Sequence, residues 1–309
     1  MQQVKLCFSK VKIDCIKFIK SQETSTEKFK GKEKMIKSFL IPICFWIAKK
    51  AKSRRPYFIG LAGGQGTGKT TISSIIKIIL IKYFKLKVFK ISVDDFYKTR
   101  KDRSLLSKRV HPMLLIRGVP GTHDINLMLN FLKKMKSKKF KSLKVPSFNK
   151  AIDDRSNKKN WQSIEERPDV IILEGWCVGA KPASAKSLKK SINSMEEIKD
   201  PRLVWRKYVN QQLKSKYKKL YSQINCLIYL KANNFSLLQK WRQKQEYKLR
   251  LTNKKRSKNK IMNKKDVFNF MQTYQRITEN MFKTMPKFAS IVMHLNSNHQ
   301  IKSTIYKNI

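Results

Sequence analysis

Nine consecutive residues, Gly63, Gly64, Gln65, Gly66, Thr67, Gly68, Lys69, Thr70 and Thr71, read GGQGTGKTT and satisfy the spacing G-x-x-x-x-G-K-[ST]. The chemistry such a run can do is phosphate capture. Glycines reach backbone conformations closed to residues with a side chain, so several N–H groups can converge on one anion. The stretch that follows, TTISSIIKIILIKYF, has helical spacing and would add the partial positive charge of its N-terminus, roughly half a unit. Lys69 is placed to reach the β- and γ-phosphates and the Thr70 hydroxyl to ligate Mg²⁺, so ATP and Mg²⁺ are the expected cofactors. A glycine-rich turn with only a structural role is the plainer alternative. Context speaks against it, because a strand-like apolar run, YFIGLA, precedes the glycines and a helix-like run follows them.

Carboxylates stand where two further apolar runs end. SVDDFY supplies Asp94 and Asp95, with Tyr97 closing the run. Transfer of a phosphoryl group to a hydroxyl needs a carboxylate that orients the hydroxyl and accepts its proton, and Asp94 is the candidate. Asp95 reads equally as a helix N-cap or as an acceptor contact, alongside Tyr97. VIILEGW supplies Glu174, the second acid expected near the metal; a buried structural carboxylate is the alternative, costly without a partner. Between these runs lie two loop clusters. RGVPGTHD carries Arg117, Thr122, His123 and Asp124 around a Pro-Gly turn, and VPSFNKAIDDR crowds Lys150, Asp153, Asp154 and Arg155 together. Polar residues gathered in loops are where binding chemistry usually resides. Singly each has an ordinary reading: Asp124 could cap the helix beginning at Ile125, and His123 could be a core histidine.

These groups need a frame to hold them. Tyr57–Ala62, Val88–Val93, Val170–Leu173, Cys226–Leu230 and Ile291–Leu295 are short unalternating apolar runs, and Thr70–Tyr83 and Asp124–Met135 are helical intervals between them. That order predicts an α/β fold, a parallel sheet of about five strands sandwiched by helices, with ligands gathered at the carboxyl ends of the strands. Residues 1–51 read as an N-terminal helical extension, with a helix over Ile36–Ala51, and residues 52–309 as the catalytic domain. Two very basic stretches, 181–202 and 248–265, read as exposed insertions or mobile loops.

Composition sets the outer limits. With 309 residues, two domains at most are expected. Lys and Arg number 70 against 20 acids, a net charge of +50 that would suit nucleic acid or an anionic membrane surface. The lysines are spread over nearly every segment instead of forming one stripe, so a general lysine bias is the reading adopted, and a small anionic substrate rather than nucleic acid is the expected partner. Five cysteines, without C-x-x-C spacing, argue against a disulfide framework and a zinc site and point to a reducing compartment. The longest apolar run, FLIPICFWIA, is far shorter than the roughly 20 residues a bilayer span requires. A cytoplasmic location without a membrane partner is expected, an organellar presequence being the alternative that the N-terminus leaves open.

Taken in order, GGQGTGKTT, SVDDFY, HPMLLIRGVPGTHD, VPSFNKAIDDR, LEGWCVG and WRQKQE resemble the D-glycerate 3-kinase family, the plant and cyanobacterial type of glycerate kinase with its fungal relatives. That family sits within the P-loop group of uridine kinase, phosphoribulokinase and pantothenate kinase. The resemblance covers roughly residues 36 to 301 and implies ATP-dependent phosphorylation of the 3-hydroxyl of D-glycerate, the last step of the photorespiratory glycolate pathway. It matches Asp94 to the base of the related uridine kinases and puts Arg242 of WRQKQE on a lid-like helix closing over the phosphates. Asn149 stands where the family pattern has Asp, and Gln275 and Glu279 where a Glu and a basic residue are usual. Uridine, pantothenate or a ribulose phosphate are the alternative acceptors. Outside that class the rivals are a non-catalytic ATP-binding protein and a P-loop ATPase or GTPase acting on nucleic acid. NKKD at Asn263–Asp266 matches the guanine-reading pattern but lacks the apolar strand that must precede it.

Overall fold

Seven consecutive buried residues, Tyr57–Gly63, form strand β1. A run with no polar face can be stable only with both faces covered, and β1 accordingly lies inside a six-stranded sheet. The structure, a computed structural model, describes residues 2–24, 28–252 and 262–307. The other strands are β2 (Val88–Ser92), β3 (Val170–Gly175), β4 (Cys226–Lys231), β5 (Ile291–Leu295) and β6 (Ile301–Tyr306). Their order is β6-β5-β4-β1-β3-β2. β1 runs parallel to β3 and β4, β2 parallel to β3, and β5 parallel to β4. β6 was not anticipated: it returns antiparallel along β5 and exposes most of its residues, so the apolar run that marks an inner strand is absent from it.

Register puts the chemistry at one edge. Glu174 is level with Leu61 of β1 and with Ser92 of β2, so the glycine loop, Asp94 and Glu174 all emerge where the parallel strands end.

Helices cover both faces. α1 (Gln2–Ser21) and α2 (Ile41–Ser53, entered through a π-helical turn at Met35–Leu40) bury Cys7, Val11, Cys15, Ile43, Cys44 and Ile47 in the same cluster as α3 (Lys69–Lys82) and one sheet face. α4 (Arg100–Arg109), α5 (Ile125–Lys136) and α6 (Val204–Gln212) lie in chain order before the two long helices α7 (Phe235–Thr252) and α8 (Lys264–Phe288). The other sheet face shares its core with Met128, Phe131 and Leu132 of α5 and Tyr274, Ile277 and Met281 of α8.

Most of residues 181–202 are exposed, as their lysines suggest, but the segment is anchored at a few points. Leu188, Met195, Glu196 and Asp200 are buried. Glu196 pairs with Arg206 (3.3 Å) and Arg276 (2.5 Å), and Asp200 with Arg206 (3.0 Å), which bolts the segment to α6 and α8. Of 248–265, residues 253–261 lie outside the described residues; the flanks continue α7 and begin α8. NKKD is a helix start: the Asn263 side chain accepts from Asp266 N–H and the Asp266 carboxylate from Asn263 N–H, a capping box. All five cysteines are free and buried, and among the described residues no helix is long and apolar enough to cross a membrane.

Candidate active site

The glycine loop leaves β1 and enters α3 through Gly66 and Gly68, both with positive φ (78° and 83°). A Cβ at Gly66 would lie 2.7 Å from Trp241 Cβ, and one at Gly64 would lie 2.3 Å from a Leu238 methyl, so α7 packs directly onto the loop and leaves no room for a side chain. Thr67 ties the turn by donating its hydroxyl to Gly64 O (2.9 Å). Lys69 reaches back over the loop, its ammonium on the same carbonyl at 2.9 Å. Burial lowers the Lys69 pKa, with Glu174 and Asp94 opposing that shift by favouring the charged form. Gln65 is half-buried and Thr71 lies in the first turn of α3.

Glu174, buried at the end of β3, accepts from Thr70 Oγ1 (3.0 Å) and Ser73 Oγ (2.7 Å). Two hydroxyl donors supply the partners that a buried carboxylate requires. Ser73 escaped the sequence reading; it is one helical turn beyond Thr70, which is the signal that could have found it. This oxygen set suits a hard cation that keeps its waters and takes its remaining ligands from phosphates. Among the described residues no cluster of three or more His, Cys, Asp or Glu could hold a metal by itself.

The two adjacent aspartates have separate fates. Asp95 closes a capping box with Ser92, its Oδ2 accepting from Ser92 N–H at 3.1 Å, and burial raises its pKa to about 6. Asp94 faces the site, Oδ1 accepting from the Tyr97 hydroxyl (3.0 Å) and Oδ2 from Lys150 Nζ (2.7 Å). Burial alone would push the Asp94 pKa up; the Lys150 ammonium, helped by the Tyr97 hydroxyl, outweighs it and holds the carboxyl below its ordinary value.

Around Asp94 the loop clusters converge. Tyr97 stacks on His123 with ring centroids 4.3 Å apart. The Tyr217 hydroxyl accepts from Gly121 N–H (3.1 Å) and shares a 2.6 Å hydrogen bond with His123 Nδ1. Nε2 is buried and has no hydrogen-bond partner, and burial drops the His123 pKa to about 4. His123 is thus neutral and not a cation. Thr122 spends its hydroxyl inside the turn, donating to Val119 O and accepting from Gly118 N–H. Asp124 caps α5 through Leu127 N–H (3.0 Å) and pairs with Arg155 (3.3 Å), which also donates to Tyr97 O (3.0 Å).

Arg117 pairs with Asp153, whose other oxygen is held at 3.0 Å by the fully buried Arg103. Asn149 forms a turn, accepting from Ala151 N–H, and Asp154 accepts from Arg100 N–H. Gln275 binds Asn193 and Glu279. Arg242, on α7 as expected, turns along its own helix to Gln245 and Glu246.

Three aromatic anchors were missed. Trp176 donates to Gly118 O (2.9 Å), Tyr274 closes so tightly on Gly118 (φ 140°) that a Cβ there would come within 2.1 Å of its hydroxyl, and Tyr217 holds Gly121 and His123. They are distant in sequence from the loop they fix, and one aromatic among many carries no local signal.

A mostly parallel sheet whose first strand opens into a phosphate loop, with an aspartate and a buried glutamate on the neighbouring strand ends, is the architecture of a P-loop kinase, a phosphotransferase. No family model matches the chain. It is similar to the uncharacterized kinase mug58 of Schizosaccharomyces pombe, 28% identical over 228 residues that cover 71% of this chain and 79% of that protein. It is similar also to the chloroplastic D-glycerate 3-kinase of Arabidopsis thaliana, 32% identical over 203 residues, 63% of this chain but only 42% of the plant protein. Among solved structures, the D-glycerate 3-kinase from Cryptococcus neoformans var. grubii has the same fold, with a TM-score of 0.71 at 23% identity over 86% of this chain and 97% of that one. Within the P-loop kinases, then, the proteins it is similar to include a D-glycerate 3-kinase, of the family its motifs resemble.

Proposed function

We propose that the protein transfers the terminal phosphoryl group of ATP, with Mg²⁺, to the 3-hydroxyl of D-glycerate, giving 3-phosphoglycerate. The observation that carries this reading is Asp94, a carboxylate held ionised at the strand end next to the phosphate loop and ringed by cationic and hydrogen-bonding side chains. The 32% identity to the Arabidopsis enzyme supports the choice of acceptor.

When bound, ATP supplies the phosphoryl group and Mg²⁺ neutralises its charge. The amides of Gly64 to Lys69 and the N-terminus of α3 bind phosphate oxygens, and Lys69 moves from Gly64 O onto them. Thr70 and Glu174 would hold the metal, Glu174 directly or through water. Asp94 accepts the hydroxyl proton. Arg117, Arg155 and Lys150 are the candidates to neutralise the acceptor carboxylate, with His123, Asp124, Thr122, Tyr97 and Asp95 shaping the pocket. Arg242 leaves Glu246 to close over the phosphates. Five free buried thiols suit a reducing compartment, the cytoplasm on our reading, and the scattered lysines make a small anion a better partner than nucleic acid.

A coupled ADP-release screen over D-glycerate, L-glycerate, uridine, pantothenate and ribulose 5-phosphate tests this. Turnover with D-glycerate far above the others is expected. A higher kcat/KM for any other acceptor would replace glycerate, and no ADP release over background with all five would remove the kinase reading of this site.

A further inference from the structure

One short hairpin, Phe148–Asn149 paired with Asp154–Arg155, meets the acceptor end of the site in two ways. On one side it is anchored. Arg103, wholly buried, donates to Asp153 O (2.5 Å) and pairs with its carboxylate (3.0 Å), while Arg117 takes the other carboxylate oxygen. Three residues earlier, Lys150 lies with its ammonium 2.7 Å from Asp94 Oδ2 although its side chain is 61% exposed. The oxygen that must receive the hydroxyl proton is therefore engaged by a cation. Because that cation is solvent-exposed, it can change partners at little cost.

We propose that Lys150 is a latch that frees Asp94 only for an acceptor carrying an anionic group, and so determines specificity for hydroxy acids over neutral polyols. This rests on the function proposed above. A carboxylate entering beside Arg117 offers the ammonium a second anion. The flexible four-carbon stem lets Nζ pass from Asp94 to that carboxylate, and the Asp153 anchor keeps Lys150 within reach. Lys150 stays protonated throughout. Asp94 Oδ2, released, takes the hydroxyl proton as the new phosphorus–oxygen bond forms and the bond to the departing ADP breaks. An acceptor such as glycerol, with the same hydroxyl but no carboxylate, leaves Lys150 on Asp94 and the base blocked. Lys150 is in this sense read twice, first by the aspartate and then by the substrate.

The test is the ratio of kcat/KM for D-glycerate over glycerol, from ADP release at saturating ATP, in the wild type, K150M and K150R. K150M should lose about 10- to 100-fold on D-glycerate, mostly through KM, the scale of one charge-assisted hydrogen bond. Turnover of glycerol should rise in the same variant, so that the preference collapses from both sides, while K150R retains part of it. A thermal melt matching the wild type confirms that this exposed substitution leaves the fold intact. If K150M loses activity on both acceptors in proportion, or its glycerol turnover does not rise, the latch is wrong while the glycerate reading stands. Failure of the wild type to turn over D-glycerate at all would instead remove the glycerate reading, and the latch with it.

Discussion

Two adjacent aspartates with the same side chain do different work because of what surrounds each carboxylate. Asp95 is enclosed in the capping box with Ser92 and its pKa is raised to about 6, whereas Asp94 is held below the ordinary value against the pull of burial. Asp94→Asn should therefore lower kcat by about 10²- to 10⁴-fold, the usual worth of a general base, with KM for ATP nearly unchanged. Asp95→Asn should cost far less. Equal losses in steady-state assays of the two variants would withdraw the base assignment. The depressed pKa also fixes a sign. In the proposed role Asp94 works ionised, so kcat/KM should hold as pH falls and decline only below the ordinary carboxylate range, near 4. Lys150, Lys69, His123, Tyr97, Asp95 and Tyr274 face it, and of these Lys150 is the main cationic contributor; K150M should move the acid limb to higher pH. A limb left in place would deny that Asp94 titrates there. Motif spacing made the glycine loop, Asp94 and Glu174 legible from sequence. It preferred Asp94 to Asp95 but left Asp95 between a capping and a binding reading, because the capping bond to Ser92 depends on the turn after β2.

The elements that shape the site are the strand ends and α7. Apolar runs announced five of the six strands, since a strand buried on both faces must be apolar throughout. β6 escaped because an edge strand with Ser303 and Thr304 at its centre carries no such run. The role of α7 was legible only as a motif, WRQKQE. What the motif did not disclose is that Leu238 and Trp241 press onto Gly64 and Gly66 while the Trp241 indole donates to Ser297 O and stacks on His299, 4.0 Å between ring centroids. Gly66→Ala adds a Cβ where φ is 78° and Trp241 is already in contact. It should destabilise the protein by about 1–3 kcal/mol and raise KM for ATP. Urea unfolding and ATP titration read the two effects, and a variant with wild-type stability and KM would mean that α7 does not bear on the loop.

At the scale of the whole molecule two terms set how stability responds to conditions. A net charge of +50 on 309 residues repels itself, so added salt at neutral pH should raise Tm; a flat or falling Tm would show that the surface has compensated the charge in other ways. His123 supplies the second term. Neutral and buried in the fold with a pKa of about 4, it gains a proton more readily when unfolded, where its value is near 6.5. Its contribution is complete above that unfolded value, shrinks as pH falls and levels off below 4, a loss of at most about 3 kcal/mol. His123→Gln should flatten that stretch of the acid-unfolding curve, and an unaltered slope would place the histidine outside the linkage. The basic charge, conspicuous in the composition, thus bears on stability and on attraction of anions, while the chemistry rests on a few groups at one edge of the sheet. The most direct measurement is the ³¹P spectrum of a reaction containing the protein, ATP, Mg²⁺ and D-glycerate. Transfer to the 3-hydroxyl places phosphorus beside a methylene, and its new resonance should split into a triplet. A doublet would mean phosphorylation of the 2-hydroxyl, and no new phosphate ester would contradict the assignment of this site to D-glycerate.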